Sequence, residues 1–131
     1  ARVIEELQAR GFATAIVSAG SPERVKSKLA KFTLDHLFRI VCAGQRSKIQ
    51  AIGDCCELFG CQPGQTCFVG DIRSDMRDGQ AACVCPIGFA AGYPFMPAVL
   101  TAAGARVCVD EPEELLIEIP KVLAQSFDAL E

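Results

Sequence analysis

Two aspartates close behind an apolar run are the residues in this sequence best placed to do chemistry. In Phe68-Val69-Gly70-Asp71-Ile72-Arg73-Ser74-Asp75 a strand-like stretch ends in Gly-Asp, and a second carboxylate follows four residues later. Both then stand on one loop-to-helix turn, where they can bind a hard cation. Magnesium favours oxygen ligands, typically one or two carboxylates completed by water and a substrate phosphate. The same residues could serve structure alone, with Asp71 or Ser74 as a cap and Asp75 on an exposed first turn.

Lys48 is the next candidate, opening a helical segment after Gly44-Gln45-Arg46-Ser47. A cation near a helix N-terminus opposes the macrodipole, so something negative nearby would make the position favourable. A phosphoryl group shared with Ser18 would do so; a solvated lysine with its stem along the helix is the plainer alternative. Ser18 itself lies in Ile16-Val17-Ser18-Ala19-Gly20-Ser21, a strand exit followed by small residues and a helix start. Its hydroxyl, with the backbone N–H groups of Ala19 and Gly20, can face an anion. Strand-to-helix turns also hold Ser and Gly for conformational reasons alone.

These residues must be positioned by regular elements, and the sequence supplies them in alternation. Arg2 to Arg10 has helical spacing and stops at Gly11, and Phe12 to Val17 is a continuous apolar run, as in a strand buried on both faces. Ser21-Pro22 opens a helix with Val25, Leu29 and Phe32 as its inner stripe. Residues 34–38 read as a turn, and 39–43 as a strand. Lys48 to Phe59 is a helix closed by Gly60, and Thr66 to Val69 a short strand. Helix at 74–82, strand at 84–89, helix at 97–103 and strand at 106–109 follow, then a helical stretch from Glu111 to Leu130 interrupted by Pro120. Such alternation predicts an α/β fold, a parallel sheet with helices on both faces, in one domain. In parallel α/β sheets ligands bind beyond the carboxyl ends of the strands, where all three candidate segments fall.

Composition narrows the classes. Half of the 131 residues are hydrophobic, enough for a globular core. No apolar run is long enough to span a bilayer, and no secretory signal opens the chain. Ala1 leads straight into the helical pattern without a start methionine, as expected of a processed or incomplete chain. Thirteen basic against sixteen acidic side chains, with no basic block, argue against a nucleic-acid partner. Eight cysteines include no CxxC, and the single histidine, His36, lies elsewhere. No standard zinc spacing results, and reduced, mostly buried thiols in a cytoplasmic protein are expected. Cys42, Cys67 and Cys108 fall in strand-like runs, where a thiol behaves as a small hydrophobe.

Taken together, AIVSAGS with Ser18, RSKIQAI with Lys48 and FVGDIRSD with Gly70, Asp71 and Asp75 resemble the haloacid dehalogenase superfamily of phosphohydrolases. The connecting segments LQARGFATAIVS, KLAKFTLDHLF, ELFGCQPGQTCFVGD and TAAGARVCVDEPEELL are similar to its phosphoglycolate phosphatase-like branch, and the likeness runs from Arg2 to about Leu123. The resemblance implies a three-layer, Rossmann-like core and Mg²⁺-dependent hydrolysis of a small phosphorylated metabolite. It assigns Ser18 to the phosphoryl oxygens, Lys48 to charge neutralisation, and Asp71 with Asp75 to the metal.

The resemblance also implies a part that is not here. The family forms its phosphoenzyme on an aspartate of a DxD motif on a central strand, and no Asp-x-Asp occurs in these 131 residues. Its cap domain has no counterpart either, and Cys83 stands where the family usually places glycine. The expectations are a core incomplete at its N-terminus, with its first strand missing, and a chain inactive as it stands. The alternative is a non-catalytic phosphate- or metal-binding or assembly module. A missing central strand would remove four or five buried apolar side chains, roughly 6–15 kcal/mol, comparable with a domain's whole net stability. The strands around Ala13–Val17 and Thr66–Val69 would then close on each other or accept a strand from another copy, making a homo-oligomer.

Overall fold

The computed structural model describes residues 2–130, with side chains as far as Gln125. Five strands alternate with six helices: α1 (Arg2–Ala9), β1 (Ala15–Val17), α2 (Pro22–Lys31), β2 (Ile40–Cys42), α3 (Lys48–Phe59), β3 (Cys67–Gly70), α4 (Arg73–Ala81), β4 (Cys85–Phe89), α5 (Met96–Ala102), β5 (Val107–Val109) and α6 (Leu115–Leu130). Every strand pair is parallel, and the architecture is the expected three-layer α/β arrangement.

The sheet is in two pieces. β1 pairs with β2, and β3, β4 and β5 form a separate ladder in that order. β1 and β3 have not closed on each other, so a slot runs between their facing edges. This also shortens the strands: the apolar run from Phe12 yields only three residues of ladder, because a strand extends only as far as it has a partner.

Two packed layers sandwich the three-stranded piece. On one face Val3 and Leu7 of α1 and Ile119 of α6 meet Ile87 of β4 and Val109 of β5. On the other, Met76 of α4 and Leu100 of α5 pack with Ala103 and Ala105. α3 spans the slot, since its Ile52 and Cys56 pack with Val17 of β1 and with Phe68 of β3. That helix therefore ties the two pieces of sheet together and carries Lys48 at its first position.

Local chemistry explains the helix ends. Ser21 accepts the Arg24 N–H at 3.3 Å and caps α2, with Pro22 in its first turn. α3 ends at Gly60 in the left-handed region, φ 67°. Two expectations need correction. Phe32 is 56% exposed and stands beside the Lys31 ammonium instead of completing an inner stripe; it lies past the end of α2, where the chain has turned away. Pro120 does not interrupt α6, which runs through it. The carbonyl that the missing proline N–H would have served, that of Leu116, accepts Nη1 of Arg10, just past the end of α1, at 3.0 Å.

None of the eight cysteines is in a disulfide; Cys55, Cys56 and Cys85 are buried and Cys83 is exposed. Cys83 has φ 65°, the left-handed conformation that glycine adopts most easily.

Candidate active site

A pocket of about 310 Å³ opens at the slot, lined by Val17 from β1, Phe68, Val69 and Gly70 from β3, Phe89 from β4, Lys48 from α3, and Asp71 and Asp75. It is built from strand ends and helix starts. β3 ends at Gly70, the chain turns through Asp71 and Ile72, and α4 begins at Arg73, which brings Asp75 back over the strand on the first helical turn. α3 starts beside it.

The central contact is an ion pair. Lys48 Nζ donates to Asp75 Oδ1 at 2.6 Å, with the two side chains 17% and 6% exposed. Lys48 Nζ also lies 5.9 Å from the centre of the Phe68 ring, whose π face favours a cation. Asp75 is the one buried charged residue among those described, and Lys48 supplies its compensation. The cation at the start of α3 therefore has its negative partner, and that partner is Asp75 rather than solvent. Asp71 sits on the exposed side of the same loop.

Gly70 makes the arrangement possible. A Cβ at this position would meet Asp75 Cβ at 2.4 Å and Oδ2 at 2.6 Å. Its φ is not positive, so the requirement is for room and not for an unusual backbone.

Lys48, Asp71 and Asp75 thus share one pocket. The Ser18 segment is placed differently: Val17 lines the pocket, while Ser18, Ala19 and Gly20 follow it towards β2 and are not among the lining residues. Ser18 Oγ accepts the Gly20 N–H at 3.1 Å, and the Ser18 N–H bonds Cys42 O at 2.8 Å. The Gly20 donor expected for an anion is therefore spent within the turn, and the Ser18 hydroxyl keeps its own proton to donate. Phe68 and Phe89 are site residues that motif reading missed. As apolar members of strand runs they carry no signal beyond burial.

The carboxylates suit a hard cation. Two carboxylates on one turn match what magnesium takes from protein, although the described residues hold no cluster of three or more metal-binding side chains. Among the described residues no helix is long and apolar enough to cross a membrane.

Comparison with known proteins agrees with this fold. Residues 1–88 match the family model of haloacid dehalogenase-like hydrolases. A phosphoglycolate phosphatase of Haemophilus influenzae is 33% identical over 99 residues, covering 70% of this chain and 43% of that protein. Among solved structures, a predicted phosphoglycolate phosphatase from Haemophilus somnus superposes with a TM-score of 0.78 at 25% identity, over 89% of this chain and 54% of that one. A predicted phosphatase from Clostridium acetobutylicum reaches a TM-score of 0.80 at 21% identity, over 92% and 57%. The chain belongs to the haloacid dehalogenase-like hydrolase family. It is similar to the phosphoglycolate phosphatases within that family, and it spans about half the length of the relatives it matches.

Proposed function

We propose that this chain is the phosphoryl-binding part of a phosphohydrolase acting on a small phosphorylated metabolite. The reading is carried by the Lys48–Asp75 ion pair, which sets an ammonium and two carboxylates around one open pocket at the carboxyl edge of the sheet. Lys48 has protons beyond the one given to Asp75 and neutralises the phosphoryl oxygens. In this reading Ser18, one residue past the pocket wall, gives them the hydroxyl proton that its turn leaves unused, and the Ala19 and Gly20 backbone shapes that turn. Asp71, assisted by Asp75, holds Mg²⁺. When bound, the metal shields the anionic substrate from an anionic nucleophile and stabilises the charge that develops on transfer.

No lining residue is left to serve as nucleophile, because both carboxylates of the pocket are engaged in this reading. The slot between β1 and β3 gives such a group its place: an extended segment bearing a carboxylate would pair with both strand edges and present it to the phosphoryl group. A phosphomonoester as small as phosphoglycolate, the substrate named for the relatives, suits the pocket. The two-piece sheet also favours a second reading, a module that binds phosphate or metal without turning substrate over.

The assay uses p-nitrophenyl phosphate and 2-phosphoglycolate with magnesium, and calorimetric titration with inorganic phosphate, also in the presence of magnesium. The 131-residue chain should bind phosphate without turnover above a metal-and-buffer blank. Lys48→Ala, checked for folding by circular dichroism, should lose that binding. The chain joined to a strand carrying Asp-x-Asp should hydrolyse the ester. Turnover by the chain alone that disappears in Lys48→Ala would reject the assignment of the missing nucleophile. Binding without turnover in the extended protein would favour the second reading.

A further inference from the structure

The C-terminus of α3 forces two cysteines together. Gly60 N–H bonds Glu57 O at 3.0 Å, and Cys61 N–H reaches back to Cys56 O at 3.0 Å. In a helix stop of this kind the second residue beyond the helix packs its side chain on the residue at the other end of that longer bond. Here both are cysteines. Their sulfurs share one hydroxyl, Thr66 Oγ1, at 3.5 Å from Cys56 Sγ and 3.3 Å from Cys61 Sγ. Cys56 is buried and Cys61 half-buried, so an oxidant in solution reaches Cys61 first.

We infer that Cys56 and Cys61 are a redox-active dithiol that closes to an intrachain disulfide within the existing fold. Hydrogen peroxide is a sufficient oxidant. The Cys61 thiolate attacks a peroxide oxygen, the O–O bond breaks, and the departing hydroxide takes a proton to leave as water. The Cys56 sulfur then attacks the resulting sulfenic sulfur; the S–O bond breaks, the S–S bond forms, and a second water leaves with the remaining proton. Two thiols are oxidised and one peroxide is reduced.

The surroundings tolerate the product. Oxidation removes two weak S–H donors, and neither acceptor is stranded. Thr66 Oγ1 keeps its own bond to Gln62 O at 3.2 Å, and Cys56 O keeps the Cys61 N–H. Burial pushes the Cys56 thiol up, which makes it the slower, resolving partner. Cys55 and Cys67 are pushed up to about 12, chiefly by burial, and so remain thiols under the same exposure. The inference does not depend on the phosphohydrolase reading.

The test oxidises the protein with a modest excess of peroxide in a Cys83→Ser background, which removes the exposed thiol. Free thiols are then alkylated in denaturant, and the chain is cut by a glutamate-specific protease. Cleavage after Glu57 separates Cys56 from Cys61, so the two fragments should stay joined until reduced. The bridge should persist in Cys55→Ala and vanish in Cys61→Ser, with the far-ultraviolet dichroism of the parent unchanged on oxidation. Full alkylation after oxidation, or the same bridged species in Cys61→Ser, would overturn the inference.

Discussion

Gly70 is the position where the smallest change should have the largest local effect. Asp75 cannot step aside for an added methyl group, because it is 4% exposed and bonded to Lys48 at 2.6 Å. Gly70→Ala is expected to force the loop away from α4 and to destabilise by about 1–3 kcal/mol, the usual range for overpacking. Urea unfolding measures the stability, and phosphate titration measures whether the ion pair keeps its place. Parent-like values for both would show that the loop yields freely. The glycine of this motif could be read in the sequence, but its reason could not. The close approach depends on the direction in which α4 leaves the loop, and no spacing rule encodes that direction. The same limit applies to Ser18, whose strand exit was legible while its distance from the pocket depends on the unclosed sheet.

At the scale of elements, the α1–α6 contact makes a sharp expectation. Arg10→Met removes the donor to Leu116 O and should cost about 0.5–1.5 kcal/mol, the net worth of an ordinary hydrogen bond. In a Pro120→Ala background the helix regains its own N–H for that carbonyl, so the cost of Arg10→Met should largely vanish. A double-mutant cycle by thermal unfolding checks this, and equal costs in both backgrounds would separate Arg10 from the proline. Helices were the more legible elements. α3 runs from Lys48 to Phe59 as its apolar spacing and Gly60 require. Strands were over-read at their ends, since apolar runs such as 12–17 show burial but not how many residues find a hydrogen-bonded neighbour. Nothing near Pro120 announced that a side chain over a hundred residues away would complete the helix.

For the whole molecule the open slot dominates. The facing edges of β1 and β3 carry backbone groups that no ladder pairs, and such edges invite another chain. The 131-residue chain on its own should therefore associate, and its urea midpoint should rise with protein concentration. Light scattering alongside the unfolding curves tests this over a wide concentration range. A monomer with a fixed midpoint would show that water satisfies those edges. The two-piece sheet was only half legible: the order of elements implied a parallel sheet and the family pattern implied a missing strand, but whether the remainder closes depends on packing. α3 bridges the slot, because Ile52 and Cys56 pack in one cluster with Val17 of β1 and Phe68 of β3.

The Lys48–Asp75 pair has one further consequence, in electroneutrality. The pocket lining holds one lysine against two aspartates, and the lysine is already matched, so the uncompensated charge is that of Asp71. A phosphate dianion entering such a place brings more of the charge already in excess, at a cost that grows as water is displaced. Anion and counter-cation are therefore thermodynamically coupled guests: each raises the other's affinity by the same factor, and neither is at home alone.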